Sequence, residues 1–489
     1  MKLFTYVASV LLSPAVGAQS EFAVRTSSGT YTGFINSTTP HVNQWLGIPY
    51  GQPPIGSLRF RPPLKAPDYG ATEAKSYKPI CIQDSGDKTG VFWEAVPEFQ
   101  NTDPQSEDCL YLNIWAPRKP VEEKVPVIIW VCGGAFREGG GHAPYQVPDH
   151  WIQRTQTHIV VTFNYRLNVF GFPGLPVGNR NAGLMDIRLV VEWLRDNIQG
   201  FGGDPERMVL YGQSAGSGAV LAYGYANAED PIVSGLIASS SGAGDAYSAN
   251  STLFHDLAQS ANCANLTQTK ELECMQNVDA RELQRLVLKI NPDPTRALFT
   301  PLADNFTLFE NMTDRLVRGL VAKVPLITGL TYNEGMAFST FHADDTSPPS
   351  EPVPEIGSML ACGAIREAKI RAQYGLRSYS YLYSGNFTNI TPRYWLGGMH
   401  SSDIPLVFGT HNLFRGNSTN LEWQTSFAME AFWVSFASNS SVDPRNHLGQ
   451  TWPRYTVDNP EIIVFGNATM PSASTVADVS LAEQYAGPC

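Results

Sequence analysis

Two runs, "KVPVIIWV" (124–131) and "HIVVTFNY" (158–165), are apolar at consecutive positions rather than at alternate ones. A strand with one wet face alternates; a strand apolar throughout is covered on both sides, as in a parallel sheet layered between helices. "DIRLVVEWLRDNI" (186–198) carries its apolar residues at helical spacing. "RMVLYG" (207–212) reads as another strand, followed by a serine-centred turn and a helix from Ala215. "VPLITGLTYNEG" (324–335) and "SYSYLYSG" (378–385) continue the series as strands. This alternation predicts an α/β fold with a large, mostly parallel central sheet and helices on both faces. Ligands of such sheets sit beyond the carboxyl ends of the strands, so any chemistry is expected just after these runs.

"GQSAG" (212–216) stands at such a strand end. Glycines two residues before and after a serine leave room for a sharp strand-to-helix turn that lifts the hydroxyl above the sheet. The following helix aims its N-terminal amides at the same place. A serine hydroxyl needs a base to take its proton, and the base needs an acid to orient it. In this turn type the chain order is serine, acid, histidine. Four histidines come late enough, His342, His400, His411 and His447, and Glu334 follows the strand "VPLITGL". Position alone does not separate His400 from the other three, nor Glu334 from an ordinary exposed turn glutamate. "WVCGGAF" (130–136) ends its strand in a loop almost without side chains. That is either a tight turn or a place where backbone N–H groups receive a developing negative charge, as acyl transfer requires. The amide of Ala215 would complete such a site.

The first residues, "MKLFTYVASVLLSPAVGAQS", follow a lysine with an apolar stretch and small residues. This is the pattern of a secretory signal peptide over 1–18, with cleavage after Ala18. The stretch is short for a membrane span, and "AEQYAGPC" at the other end does not look like a lipid-anchor signal. Residues 19–489 show no linker, repeat or low-complexity block, and "DDTSPPSEPVPE" (344–355) is short enough for a surface excursion, so one large domain is expected. A net charge of −11 argues against nucleic acid or anionic membranes as partners. Ten Asn-x-Ser/Thr sequons, at Asn36, Asn250, Asn265, Asn305, Asn311, Asn386, Asn389, Asn417, Asn439 and Asn467, fit a secreted glycoprotein. Seven cysteines in an oxidising compartment leave at least one thiol unpaired within the chain; Cys263 and Cys274 are near enough in sequence to close a short loop.

Beside these stand "WLGIPYGQPPIGSLRFRPP" (45–63), "SEDCLYLNIW" (106–115), "NYRLNVFGF" (164–172), "GFGGDPERMVLYGQSAGSGA" (200–219), "GGMHSSDIPLVFG" (397–409) and "TWPRY" (451–455). In these ordered motifs, spread over nearly the whole chain after the leader, the sequence resembles the type-B carboxylesterase family, which includes cholinesterases and fungal lipases. In look it is nearest to secreted fungal carboxylesterases. The resemblance implies an α/β-hydrolase fold. It places the family's nucleophile on Ser214, its acid on Glu334 and its histidine on His400. It places the oxyanion amides on Gly134, Ala135 and Ala215. It implies the bridges Cys81–Cys109, Cys263–Cys274 and Cys362–Cys489, leaving Cys132 as a free thiol.

The activity so implied is secreted, two-step hydrolysis of a small-molecule or lipid ester through an acyl-enzyme. It needs no metal or organic cofactor, and no spaced ligand cluster or phosphate loop in the sequence suggests one. Where many relatives have His or Tyr the chain has Cys132, read as a packing residue. Ala135 replaces the third glycine of the family's loop; its methyl is expected to disfavour bulky tertiary-alcohol esters. Gln213 stands where cholinesterases have a glutamate, which leans away from a choline ester. Two rival readings are a lipase, with Val91, Phe92, Trp93, Val96 and Phe99 as the apolar face of a lid, and a non-catalytic binding protein on the same scaffold. Against the lid, the same five residues are expected rather to pack onto the body of the enzyme. The oligomeric state is not legible.

Overall fold

The computed structural model describes residues 22–83, 89–175, 180–241, 248, 251–291, 298–341, 344, 346–349 and 355–486. The leader expected over 1–18, the sequon at Asn250, His342, Cys489 and much of the 344–355 excursion lie outside the described residues.

The main sheet has eleven strands. In chain order they are β1 (Phe34–Ile35), β2 (Val42–Pro49), β3 (Tyr111–Pro117), β4 (Val125–Val131), β5 (Ile159–Phe163), β6 (Gly203–Gln213), β7 (Gly235–Ser239), β8 (Leu326–Thr331), β9 (Ser378–Tyr383), β10 (Glu461–Phe465) and β11 (Ser474–Asp478). Their spatial order is β11-β10-β9-β8-β7-β6-β4-β5-β3-β2-β1. The centre, from β5 through β10, is parallel, and antiparallel strands complete both edges. Every residue of β4 and of β5 is buried, which is why both runs are apolar without alternation. This is the α/β-hydrolase architecture, a large mixed sheet flanked by helices.

The helix α1 (Ala182–Asn197) begins four residues before the spacing predicts. Its first turn is buried against the "NYRLNVFGF" segment: a Cβ on Gly183 would lie 2.4 Å from the Arg166 carbonyl. The same segment is tied to α1 by a buried ion pair in which Arg166 donates to both oxygens of Asp186, at 2.6 and 2.9 Å. Removing one partner of such a pair costs about 3–5 kcal/mol. The helix α2 (Ala215–Ala226) packs on β6 and β7, and α3 (Ile356–Gln373) on β8 and β9. Disulfides join Cys81 to Cys109 and Cys263 to Cys274, and Cys132 is free and buried. Cys362 is disulfide-bonded. Among the described residues no helix is long and apolar enough to cross a membrane.

Parallel neighbours end on the same edge of a sheet. The segments leaving β4, β6, β8 and β9 therefore emerge side by side, and they carry the residues singled out from the sequence.

Candidate active site

At the end of β6 the chain turns so sharply into α2 that Ser214 takes φ 57° and ψ −128°, a strained conformation for a residue with a side chain. Packing enforces the strain. A Cβ on Gly212 would lie 2.3 Å from the Gly216 carbonyl, and one on Gly216 would lie 2.1 Å from the Val131 carbonyl. Only glycine fits at either place. The Ser214 amide donates to the Ser239 carbonyl at 2.9 Å, fixing the turn to the end of β7.

The loop after β4 lies against this turn. A Cβ on Gly133 would come within 2.9 Å of the Ser214 Cβ. Gly134 (φ 109°), Ala135 (φ 56°) and Phe136 (φ 57°) are successive residues with positive φ. A side chain on Gly134 would collide with the Glu138 carbonyl at 2.1 Å, and the amides of Arg137 and Glu138 both donate to the Gly134 carbonyl. Among the described residues none accepts a hydrogen bond from the N–H of Gly134, Ala135 or Ala215. Ala135 is exposed, while Gly134, Ser214 and Ala215 are half-buried. Three unpaired donors thus border the serine in a place that solvent reaches.

The acid and the histidine come from farther along. Glu334 is 4% exposed, three residues beyond β8. Its Oε1 accepts from Ser240 Oγ at 2.6 Å and from the Thr331 amide at 2.8 Å. Its Oε2 faces His400 Nδ1 at 2.5 Å. His400 is 2% exposed, on the loop after β9, which the Asn333 amide holds by donating to the Gly398 carbonyl at 3.0 Å. On its other side, His400 Nε2 is 3.0 Å from the side-chain nitrogen of Gln213. With Nδ1–H directed at the carboxylate, Nε2 is the acceptor, the form a general base needs. Ser214 Oγ makes no hydrogen bond to His400; the residue before it occupies the ring nitrogen instead. The rings of Phe338 and Phe92 flank the imidazole, with centroids 5.0 and 6.4 Å away.

A second buried carboxyl lies behind this pair. Asp403 Oδ2 accepts from Tyr381 Oη at 2.7 Å, and Tyr381 Oη also meets Ser239 Oγ at 2.7 Å. Burial pushes the Asp403 carboxyl up to about 6. Burial likewise pushes the Cys132 thiol up to about 12, which makes it unreactive next to the loop it precedes.

Of the four late histidines, the structure describes His400, His411 and His447, and it separates these three. His411 is buried in a cluster of its own, where Nδ1 meets Ser418 Oγ at 2.6 Å and Glu422 Oε1 at 3.2 Å. His447 lies exposed on the surface. Of the sequons, Asn265, Asn305, Asn311, Asn417 and Asn439 are exposed, and Asn36, Asn386 and Asn467 half-buried. Asn389 is buried, and its amide donates to the His411 carbonyl, Ser418 Oγ and Glu422 Oε1. Sequence reasoning missed Ser240 and Asp403. Ser240 had one available signal, its place directly after the apolar strand β7, whereas nothing local marked Asp403.

The Carboxylesterase family model matches residues 20–357 and 355–482. The chain is 41% identical over 484 residues to a chlorogenic acid esterase of Aspergillus niger, covering 95% of this chain and 94% of that protein. It is 38% identical to secreted lipase 5 of Gibberella zeae, with 90% of each chain covered, and 27% identical to an acetylcholinesterase of Bungarus fasciatus, over 93% of this chain and 85% of that one. With this match spanning the strand ends that carry the serine turn and the buried His400–Glu334 pair, the chain belongs to the carboxylesterase family and is a carboxylic ester hydrolase.

Proposed function

We propose that the chain cleaves carboxylic esters through an acyl-enzyme on Ser214, with His400 as general base and Glu334 as its orienting acid. The buried bond between Glu334 and His400, beside the strained serine, carries this reading. Gln213 swings off Nε2, and the Ser214 hydroxyl takes its place as donor, a rearrangement suited to a site that tightens on binding substrate. His400 takes the proton as Ser214 attacks the carbonyl carbon. The oxyanion is received by the amides of Gly134, Ala135 and Ala215, donors placed where the charge develops. His400 then protonates the departing alcohol, and water repeats the sequence on the acyl-enzyme.

Phe338 and Phe92 beside His400 favour a planar group next to the reacting carbonyl. Chlorogenic acid, an ester of an aromatic acid, therefore belongs in a substrate panel with aryl esters of graded chain length, an emulsified triglyceride and a choline ester. The leader pattern and the disulfides support secretion, with glycans on exposed sequons and none on Asn389, whose nitrogen is buried and bonded. The test is covalent labelling. A serine-directed organophosphate should modify Ser214 stoichiometrically and abolish hydrolysis, and Ser214→Ala should neither label nor turn over. A Ser214→Ala protein that still hydrolyses aryl esters would reject the mechanism. An inert wild type would favour the binding-protein reading.

A further inference from the structure

We infer that residues 91–99, inside the Cys81–Cys109 loop, form a fixed wall of the site rather than a lid, so that the enzyme acts on esters dissolved as single molecules and is not switched on by a lipid surface. The inference rests on the site proposed above.

A lid that answers to an oil–water interface needs an apolar face free to peel away, and it must cover the reacting serine when closed. Neither condition is met. The apolar face is already committed: Val91 is 1% and Val96 0% exposed, packed in one cluster with Phe341, Leu396 and Met399 of the body. The one-turn helix Val91–Ala95 is closed at its start by the Glu94 side chain, which accepts from the Gly90 amide at 2.9 Å. The fully exposed residues of the segment are Glu94 and Pro97, while Phe92, Trp93 and Phe99 are half-buried.

Its outer end is bolted by Arg415, which comes from the loop before helix α4 (Asn420–Ser438). That guanidinium pairs with Glu98, donates to the Ala95 carbonyl at 3.0 Å and donates to Tyr145 Oη at 2.9 Å. Phe99 packs on the same tyrosine with ring centroids 4.9 Å apart, and Phe92 packs on Phe99 at 5.8 Å. An unbroken set of contacts thus runs from the Arg415 bolt to the ring beside His400. With the segment so seated, Ala135 remains exposed and Ser214 half-buried, so the segment does not seal the serine from solvent.

The test follows initial rates with p-nitrophenyl butyrate and with tributyrin as each passes its solubility limit. The expected result is saturation within the dissolved range, with rates changing less than about twofold when droplets appear. A rise of about fivefold or more at the appearance of an interface would overturn the inference. Arg415→Met, with folding checked by circular dichroism, should raise KM for the dissolved aryl ester about fivefold while kcat stays within about threefold, because the wall is loosened but the reacting groups are intact. If that protein does not fold, Glu98→Gln gives the same readout. A KM unchanged in a folded variant would contradict the bolt. The Ser214→Ala control separates the two levels: activity surviving in it defeats the mechanism, whereas a dead Ser214→Ala beside a wild type activated by droplets defeats only the fixed wall.

Discussion

The two halves of the proposed active site are made of different material. The half built on β4 and β6 presents backbone: the amides of Gly134, Ala135 and Ala215, and a serine whose own backbone is strained. What holds it is the absence of Cβ atoms at Gly212, Gly216 and Gly134, each pressed against a carbonyl oxygen. The half built on β8 and β9 presents side chains, and a relay of hydrogen bonds holds it, from Ser240 and Thr331 to Glu334 and on to His400. One half is therefore broken by adding atoms and the other by exchanging functional groups.

The largest effect is expected in the side-chain half. Glu334→Gln keeps the shape but loses the charge and offers the ring the wrong partner; kcat should fall about 10⁴-fold, the scale seen when a triad carboxylate becomes an amide. A loss below tenfold would show that Glu334 is not the orienting acid. In the backbone half, Gly134→Ala changes no functional group, yet its methyl would meet the Glu138 carbonyl at a φ of 109°. The displaced donors should cost about 10²–10³-fold in kcat with KM nearly unchanged, and unaltered kcat would remove these amides from the reaction.

The side-chain half carries a buried carboxyl behind it, and this gives it a pH dependence of its own. Burial holds the Asp403 carboxyl at about 6, above the usual value near 3.9. A carboxyl raised in the native state stabilises it fully below its unfolded value, and that contribution is lost as pH rises through 6. Between pH 4 and 7 the unfolding free energy of the wild type should therefore drop by up to about 3 kcal/mol relative to Asp403→Asn. Parallel curves for the two proteins would refute it. The smallest effect belongs to Ala135, which is exposed between the unpaired amide of Gly134 and Phe136. Ala135→Gly should raise the rate on a tertiary-alcohol ester relative to its primary analogue about tenfold or less, and an equal ratio in both enzymes would end the steric argument.

The same division explains what could be read in advance. The backbone half is local in sequence: "RMVLYGQSAG" and "WVCGGAF" each hold a strand, its end and the glycines that the turn needs, so strand and turn were legible, while the assignment of donors to Gly134 and Ala135 came from family resemblance. The side-chain half is assembled by topology. Glu334 and His400 are 66 residues apart and meet only because β8 and β9 are parallel neighbours with a loop folded back over Asn333. Spacing left four histidines open, and family resemblance supplied the choice of His400. Ser240 and Asp403 escaped because their partners lie 94 and 22 residues away. Gln213 was noticed for its missing charge, not for its contact with His400. The apolar residues of 91–99 were legible as a set, but whether they face a body or a surface depends on Phe341, Leu396 and Met399, far along the chain.

The most direct test of the central claim is a crystal structure of the protein after reaction with an alkyl phosphonate. The account predicts phosphorus bonded to Ser214 Oγ, with one phosphoryl oxygen about 2.7–3.1 Å from the nitrogens of Gly134, Ala135 and Ala215, and His400 Nε2 released from Gln213. Phosphorus on another residue, or a phosphoryl oxygen turned away from those three amides, would contradict it.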